Sequence, residues 1–228
     1  MYLYEMHLHT APVSACAGAT PEESVRFYHR IGYDGLFITN HFIDGNIAIN
    51  SDTPYEDKIR FYFADYYAAL ETGKELGCKV YSGLEMCHQG TEFLIYGLEE
   101  DWFLAHPEIQ DMPISQKLTF MRQCGALVIQ AHPYREASYI DHIRLFPRQV
   151  DGVEVFNAGN AELANSMAKA YAEGYGLRPS AGSDNHIAAR QRMLGGLKSD
   201  APITDMQDFI TRFKAGDFVP FAMKNPLF

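Results

Sequence analysis

Short apolar runs alternate along this chain with longer stretches of helical periodicity. The first run, Tyr2–Thr10, reads as a strand. Thr20-Pro21-Glu22-Glu23 then opens a helix, with Thr20 as cap, Pro21 at the first position and Glu23 completing a capping box. That helix runs to about Ile31 and stops at Gly32. Strand Gly35–Asn40 follows. The polar-ended loop Phe42–Thr53 is placed to lie over a site. A long helix comes next, Pro54–Leu76, ending at Gly77. Its stripe Phe61-Tyr62-Phe63 and Tyr66-Tyr67 reads as a packing face rather than a base-stacking platform. Strands Lys79–Met86 and Glu92–Leu98 precede a helix near Ser115–Cys124. Strand Ala126–His132, a helical stretch near Tyr139–Phe146, strand Gly152–Asn157, helix Ala161–Tyr175 and strand Arg178–Asp184 complete the alternation. The tail holds a helix near Asp205–Lys214 and a short apolar run, Phe218–Ala222.

Strands alternating with helices predict a parallel sheet, and about seven such units in one chain predict an α/β barrel rather than an open sheet. No linker-like or low-complexity stretch divides the sequence, so residues 1–228 are expected to form a single domain. Barrels of this kind carry their sites at the C-terminal ends of the strands. His7, His9, His41, Glu85, His132, Asn157, Asp184 and His186 all fall at or just beyond predicted strand ends.

Composition narrows the function classes. Apolar residues make up 47% of the chain, enough for a sizeable core. The formal charge of −10 argues against a nucleic-acid binder beyond nucleotides or short oligonucleotides. It leaves room for an acidic substrate, because bound divalent ions invert the local field. Cys16, Cys78, Cys87 and Cys124 show no CxxC pairing, which fits a reducing compartment. Met1–Glu5 lack the features of a signal peptide, and no apolar run approaches the roughly 18 residues of a spanning helix. A cytoplasmic protein without a membrane partner is expected.

His7-Leu8-His9 is the most telling motif. Residues i and i+2 of a strand share a face, and two imidazoles side by side make a ready pair of metal ligands. The competing reading, a water-facing pair on an edge strand, sits poorly with the apolar flanks. Asn40-His41, Gly83-Leu84-Glu85, Ala131-His132-Pro133 and Ser183-Asp184-Asn185-His186 add imidazoles and carboxylates, more than one ion can use. Two divalent ions about 3.5–4 Å apart would polarise a phosphate ester and deliver a bridging hydroxide. Mixed His/carboxylate donors suit Zn, Mn or Fe. Arg135, Arg190 and Arg192 are candidates for gripping the phosphate, since arginine recognises it bidentately. Glu154 sits in a strand from which it could face the barrel interior near the ions.

These motifs, in this order, resemble the PHP (polymerase and histidinol phosphatase) family, over residues 5 to 186. The resemblance implies a distorted TIM-like (β/α)7 barrel with two or three divalent ions. His7, His9, Glu85 and Asp184 would hold the first ion. Glu85 would bridge to a second ion held also by His132. His41 and His186 would belong to a third site, with Cys16 as the nearest further ligand in the loop after the HxH motif. Apart from the resemblance, His41, His186 or a metal-bound water is expected to protonate the leaving alkoxide. The chain departs from the pattern twice. Glu5 replaces the family's first Asp, as an acceptor for a His N–H. The fourth strand, Thr91–Gly97, lacks the usual His, leaving that place to water, Glu92 or His88.

The resulting expectation is hydrolysis of a small phosphomonoester. The alternatives are an amidohydrolase-like metal hydrolase and a metal-stabilised regulatory domain without turnover. Against the first, Glu85 fills the place where many such enzymes carry a carboxylated lysine. The missing fourth-strand His is the best support for the second. His29, His106 and His142 read as surface groups, and Cys78, Cys87 and Cys124 as structural.

Overall fold

The structure, a computed structural model, describes residues 1–228. Nine strands form one sheet in the order β7-β6-β5-β4-β3-β2-β1-β8-β9. They are β1 (Tyr2–Glu5), β2 (Gly35–Ile38), β3 (Lys79–His88), β4 (Thr91–Tyr96), β5 (Leu127–Gln130), β6 (Gly152–Asn157), β7 (Arg178–Gly182), β8 (Met193–Ser199) and β9 (Val219–Lys224). The sheet curls into a nearly closed barrel. β7 comes against β8 through glycine: a Cβ on Gly195 would lie 2.7 Å from the Gly182 carbonyl, and one on Gly182 would strike His7 and Glu154.

The helices are α1 (Pro21–Arg30), α2 (Tyr55–Leu76), α3 (Glu100–Ala105), α4 (Ile114–Gln123), α5 (Glu162–Tyr175) and α6 (Met206–Ala215). The capping box at Thr20 and Glu23 forms as its sequence requires, and Gly77 ends α2 in the left-handed conformation. Ile59, Tyr62 and Phe63 of α2 pack with Leu84 and Met86 of β3 on the outside of the sheet. The aromatic stripe is therefore a packing face.

The barrel differs from a seven-stranded all-parallel one. β3/β4, β4/β5, β1/β8 and β8/β9 pair antiparallel. No helix separates β3 from β4, because Gln89 and Gly90 turn the chain tightly, both at positive φ. β8 went unread in the sequence, since Gly195-Gly196 interrupts its apolar pattern. The expected helix near Tyr139–Phe146 is irregular chain instead. The Gln130 side chain explains this: its Nε2 donates to the Arg144 carbonyl and its Oε1 accepts from the Phe146 N–H. Those backbone groups are satisfied without a helix. No helix is long and apolar enough to cross a membrane.

The barrel floor is apolar. Tyr4, Met6, Phe37, Tyr81, Leu94 and Tyr96 pack there against Phe209 and Phe213 of α6. Phe37 lies 4.8 Å from Tyr81, 5.2 Å from Tyr96 and 4.7 Å from Phe209, ring centre to ring centre. Regular pairing of β1 ends at Glu5, short of the expected Thr10, and only Leu8 forms a further bridge, to Asn185. Where the ladder stops, the buried Glu5 carboxylate takes over: its Oε1 accepts the His7 and Ser183 N–H groups. The Phe42–Thr53 loop lies against the loop after β1, through Ala15 N–H to Asn46 and Ala48 N–H to Val13.

Candidate metal centre

Six of the nine strands bring a ligand-bearing side chain to one rim. His7 and His9 come from the segment after β1, His41 from beyond β2, Glu85 from β3 and Glu92 from β4. His132 follows β5, and Asp184 and His186 follow β7. All are buried except His186, which is partly exposed.

Glu85 stands at the centre. Its Oε1 lies 3.0 Å from Nε2 of His7 and 3.0 Å from Nε2 of His132. Its Oε2 lies 3.3 Å from Nε2 of His9 and 2.9 Å from Nδ1 of His41. Asp184 Oδ1 sits 3.6 Å from His7 and 3.3 Å from His9. Glu92 sits 3.4 Å from His132 and 3.7 Å from His41. Four sets of donor atoms converge closely enough to share an ion: His7/His9/Asp184, His7/Glu85/His132, His41/Glu85/Glu92 and His9/His41/His186.

Supporting groups fix the rings. His7 Nδ1 donates to Glu154 Oε1, whose other oxygen accepts from the His132 N–H and Asn157 Nδ2. His9 Nδ1 lies 3.1 Å from Ser14 Oγ. That hydroxyl gives its one proton to Asn40 Oδ1, so it accepts from His9. Asn40 is oriented in turn by Nδ2, which donates to Thr10 Oγ1 and to the buried Asp65 Oδ2. These assignments aim Nε2 of His7 and Nε2 of His9 at each other, 3.1 Å apart.

Two nitrogens so placed need positive charge between or upon them. Despite burial, Asp184, Glu154 and Glu85 hold His7 protonated well above its usual range. Burial, together with His41 and His186, pushes His9 down to about 4. Burial opposes a charge on His41 too, yet Glu85 raises it to about 11. Burial would raise Glu85, but His7 and His41 hold it well below the usual carboxylate range. Asp184 is likewise held down against burial, by His7 and Arg135. Burial and the Glu85 charge push Glu92 up to about 7. His41 Nδ1 and Glu85 Oε2 are both buried without an aligned hydrogen bond, although they face each other. A dense set of buried carboxylates and imidazoles with unpartnered atoms converging fits divalent cations. Backbone strain marks the same place: His132 and Asp184 adopt positive φ, at 23° and 50°.

The structure gathers His7, His9, His41, Glu85, His132, Asp184 and His186 into one cluster. Cys16, an exposed residue whose thiol faces His186 and His41, lies outside the four donor sets. Burial works against its ionisation, but His186 and His41 pull it down to about 6. Arg135 braces the cluster, donating through Nη2 to Asp184 Oδ2 and Asn157 Oδ1 and through Nε to Asn160. Arg190 and Arg192 are not brought to it. Arg190 donates to the Gly18 carbonyl, and Arg192 lies over the Phe228 ring. Glu92 occupies the place left open on the fourth strand, whereas His88 packs edge-on to Phe146. Glu5 holds the backbone of His7; the acceptor for the His7 ring is Glu154. Sequence reasoning missed Ser14 and Asp65. Asp65 carried a signal, a lone acid within the buried stripe of α2.

No protein-family model matches the sequence, and no curated protein matches it significantly. Solved structures do match. A two-domain protein from Bacteroides vulgatus containing a predicted PHP-like metal-dependent phosphoesterase aligns with a TM-score of 0.74 at 13% identity. The alignment covers 96% of this chain and 64% of that one. A candidate metal-dependent phosphoesterase from Bifidobacterium adolescentis aligns with a TM-score of 0.57 at 15% identity, over 92% of this chain and 94% of that one. An amidohydrolase from Chromobacterium violaceum, with bound sulfate and no metal, gives 0.55 at 15% identity, over 95% and 97%. The nearly closed α/β barrel of this chain is thus the fold of PHP-like proteins.

Proposed function

We propose that this protein hydrolyses phosphate esters, in the first instance small phosphomonoesters, using two or three divalent ions of the Zn, Mn or Fe type. The observation that carries the reading is Glu85, with two imidazoles facing each of its carboxylate oxygens. His7, His9, Glu85 and Asp184 would hold one ion, and Glu85, His132 and Glu92 a second. His41 and His186 would hold a third, with Cys16 at its edge. When bound, such ions neutralise charge on phosphoryl oxygens and lower the pKa of a coordinated water.

The chain's own groups supply the rest. Glu154 and Ser14 lock the His7 and His9 rings in one tautomer. Arg135 spends Nε and Nη2 on protein acceptors, leaving Nη1 to meet an incoming oxyanion. His41 and His186 have side chains 11% and 25% exposed, against 2% or less for His7, His9 and His132. With only two ions bound, they would be the imidazoles placed to hand a proton to a departing alkoxide. The free thiols suit a reducing compartment.

The test is a panel of phosphomonoesters and amides assayed with added Mn, Zn or Fe, alongside metal analysis. Phosphate release by wild type, lost together with metal in His9→Ala, is the expected result. Turnover of amides alone supports the amidohydrolase reading. Metal retention with no turnover on either panel supports a regulatory domain.

A further inference from the structure

Beside the cluster lies a cavity of about 240 Å³ between the chain that follows β5 and the start of α5. Tyr134, Ile143, Leu163, Ala164 and Met167 supply its apolar lining. Three of these stand open to water: Leu163 is 71% exposed, Ile143 42% and Met167 40%. Both flanking segments follow strand ends at the catalytic rim. The cavity adjoins the cluster through Arg135, which lines it and donates to Asp184 Oδ2. Its wall includes Gly159, where a Cβ would lie 3.8 Å from Asp184 Oδ2 and 3.5 Å from Arg135 Nη2.

Resting on the phosphoesterase reading, we propose that this cavity receives the leaving group of the substrate and selects an uncharged, apolar one, an alkyl or aryl moiety. The size is right for one arm of a molecule, below the roughly 300–1,000 Å³ that hold a whole drug-sized ligand. Charge points the same way. Glu136 lines the cavity, and Arg135, the cation there, already serves Asp184, Asn157 and Asn160. A second phosphate would find an acid and no unspent bidentate face. The segment after β5, long and without helix or strand, is the kind of loop that shapes specificity on a rigid barrel.

A homologous series of n-alkyl phosphates tests this, because the leaving-group chemistry is constant from ethyl to hexyl. Wild-type kcat/KM should rise by up to about fourfold per methylene while the chain is being buried. Non-hydrolysable n-alkyl phosphonates, titrated calorimetrically into metal-loaded protein, should show the same slope in Kd. Ala164→Trp, which fills the cavity, and Leu163→Ser, at a position too exposed to endanger folding, should both flatten the slope. The slope is read within each variant. A flat series in an enzyme that does turn over ethyl phosphate overturns the cavity assignment and leaves the phosphoesterase reading intact. A sloped phosphonate series without turnover of any ester does the reverse. A flat series with a dimer that Leu163→Asp dissociates would assign the apolar face to a second copy of the chain. A preference for bisphosphorylated substrates that Arg190→Ala abolishes would also overturn the proposal.

Discussion

The floor and the rim of this barrel are built on the same strands and obey opposite rules. At the floor, Tyr4, Phe37, Tyr81 and Tyr96 spread cohesion over many ring contacts, and the polar tips are satisfied singly, as Tyr81 Oη is by the Ile203 carbonyl. At the rim, four imidazoles crowd one carboxylate, and charge rather than area decides the arrangement. The floor is stable as it stands. At the rim, protonated His7 and His41 face the Glu85 carboxylate, an arrangement that fits cations in their place. The division of labour is that the floor maintains the strand spacing and the rim exploits it.

The sharpest way to break the comparison is at the floor. Phe37→Ala should destabilise the protein by about 3–5 kcal/mol, read from denaturant midpoints. The folded fraction should keep its full metal content. Loss of metal from folded Phe37→Ala protein would show that the two regions are not separable.

A smaller effect is expected behind the rim. Asp65 reaches the His9 ring through Asn40 and Ser14 and also accepts from Thr10 Oγ1 and the Val13 N–H, so Asp65→Asn removes charge without touching a ligand. Metal affinity, measured by chelator competition, should fall by about 10–100-fold with little change in melting temperature. A fall in stability with unchanged affinity would make Asp65 a purely structural residue.

A pH-dependent effect lies at the boundary between the two regions. Burial pushes the Glu5 carboxyl up to about 7 from an ordinary 4.5. Between those values the folded chain keeps a proton that the unfolded chain has released. Stability of metal-free protein should therefore fall as pH rises through that window, by at most about 1.4 kcal/mol per pH unit from this group. Comparing wild type with Glu5→Gln by urea denaturation isolates the contribution, and parallel pH profiles would refute it.

Much of this was legible in the chain itself, for physical reasons that differ by residue. The imidazoles and acids could be placed because each follows an apolar run, and a run's end is visible. Thr20 and Glu23 announced α1 because capping is local chemistry. The antiparallel β3/β4 hairpin was not legible, because alternating strands and helices elsewhere favoured parallel crossovers over the short Gln89-Gly90 turn. The chain around Tyr139–Phe146 misled because its extended form depends on Gln130, distant in sequence. Glu92 was visible only as one option, since a carboxylate can replace an imidazole at a metal without any change in strand pattern. Ser14 and Asp65 act through hydrogen bonds to atoms far along the chain, and no local pattern encodes such a relay.

The shared carboxylate of Glu85 carries a consequence for how the rim fills and how it could be altered. His7, His9, His41 and Glu85 each belong to two of the four donor sets. Under the proposed multinuclear filling, occupancy at one position would change affinity at the next, and thermodynamic reciprocity would make that influence mutual. A substitution meant to retune one ion will retune its neighbour as well, so metal preference here is a property of the ensemble of sites, inherited and lost together.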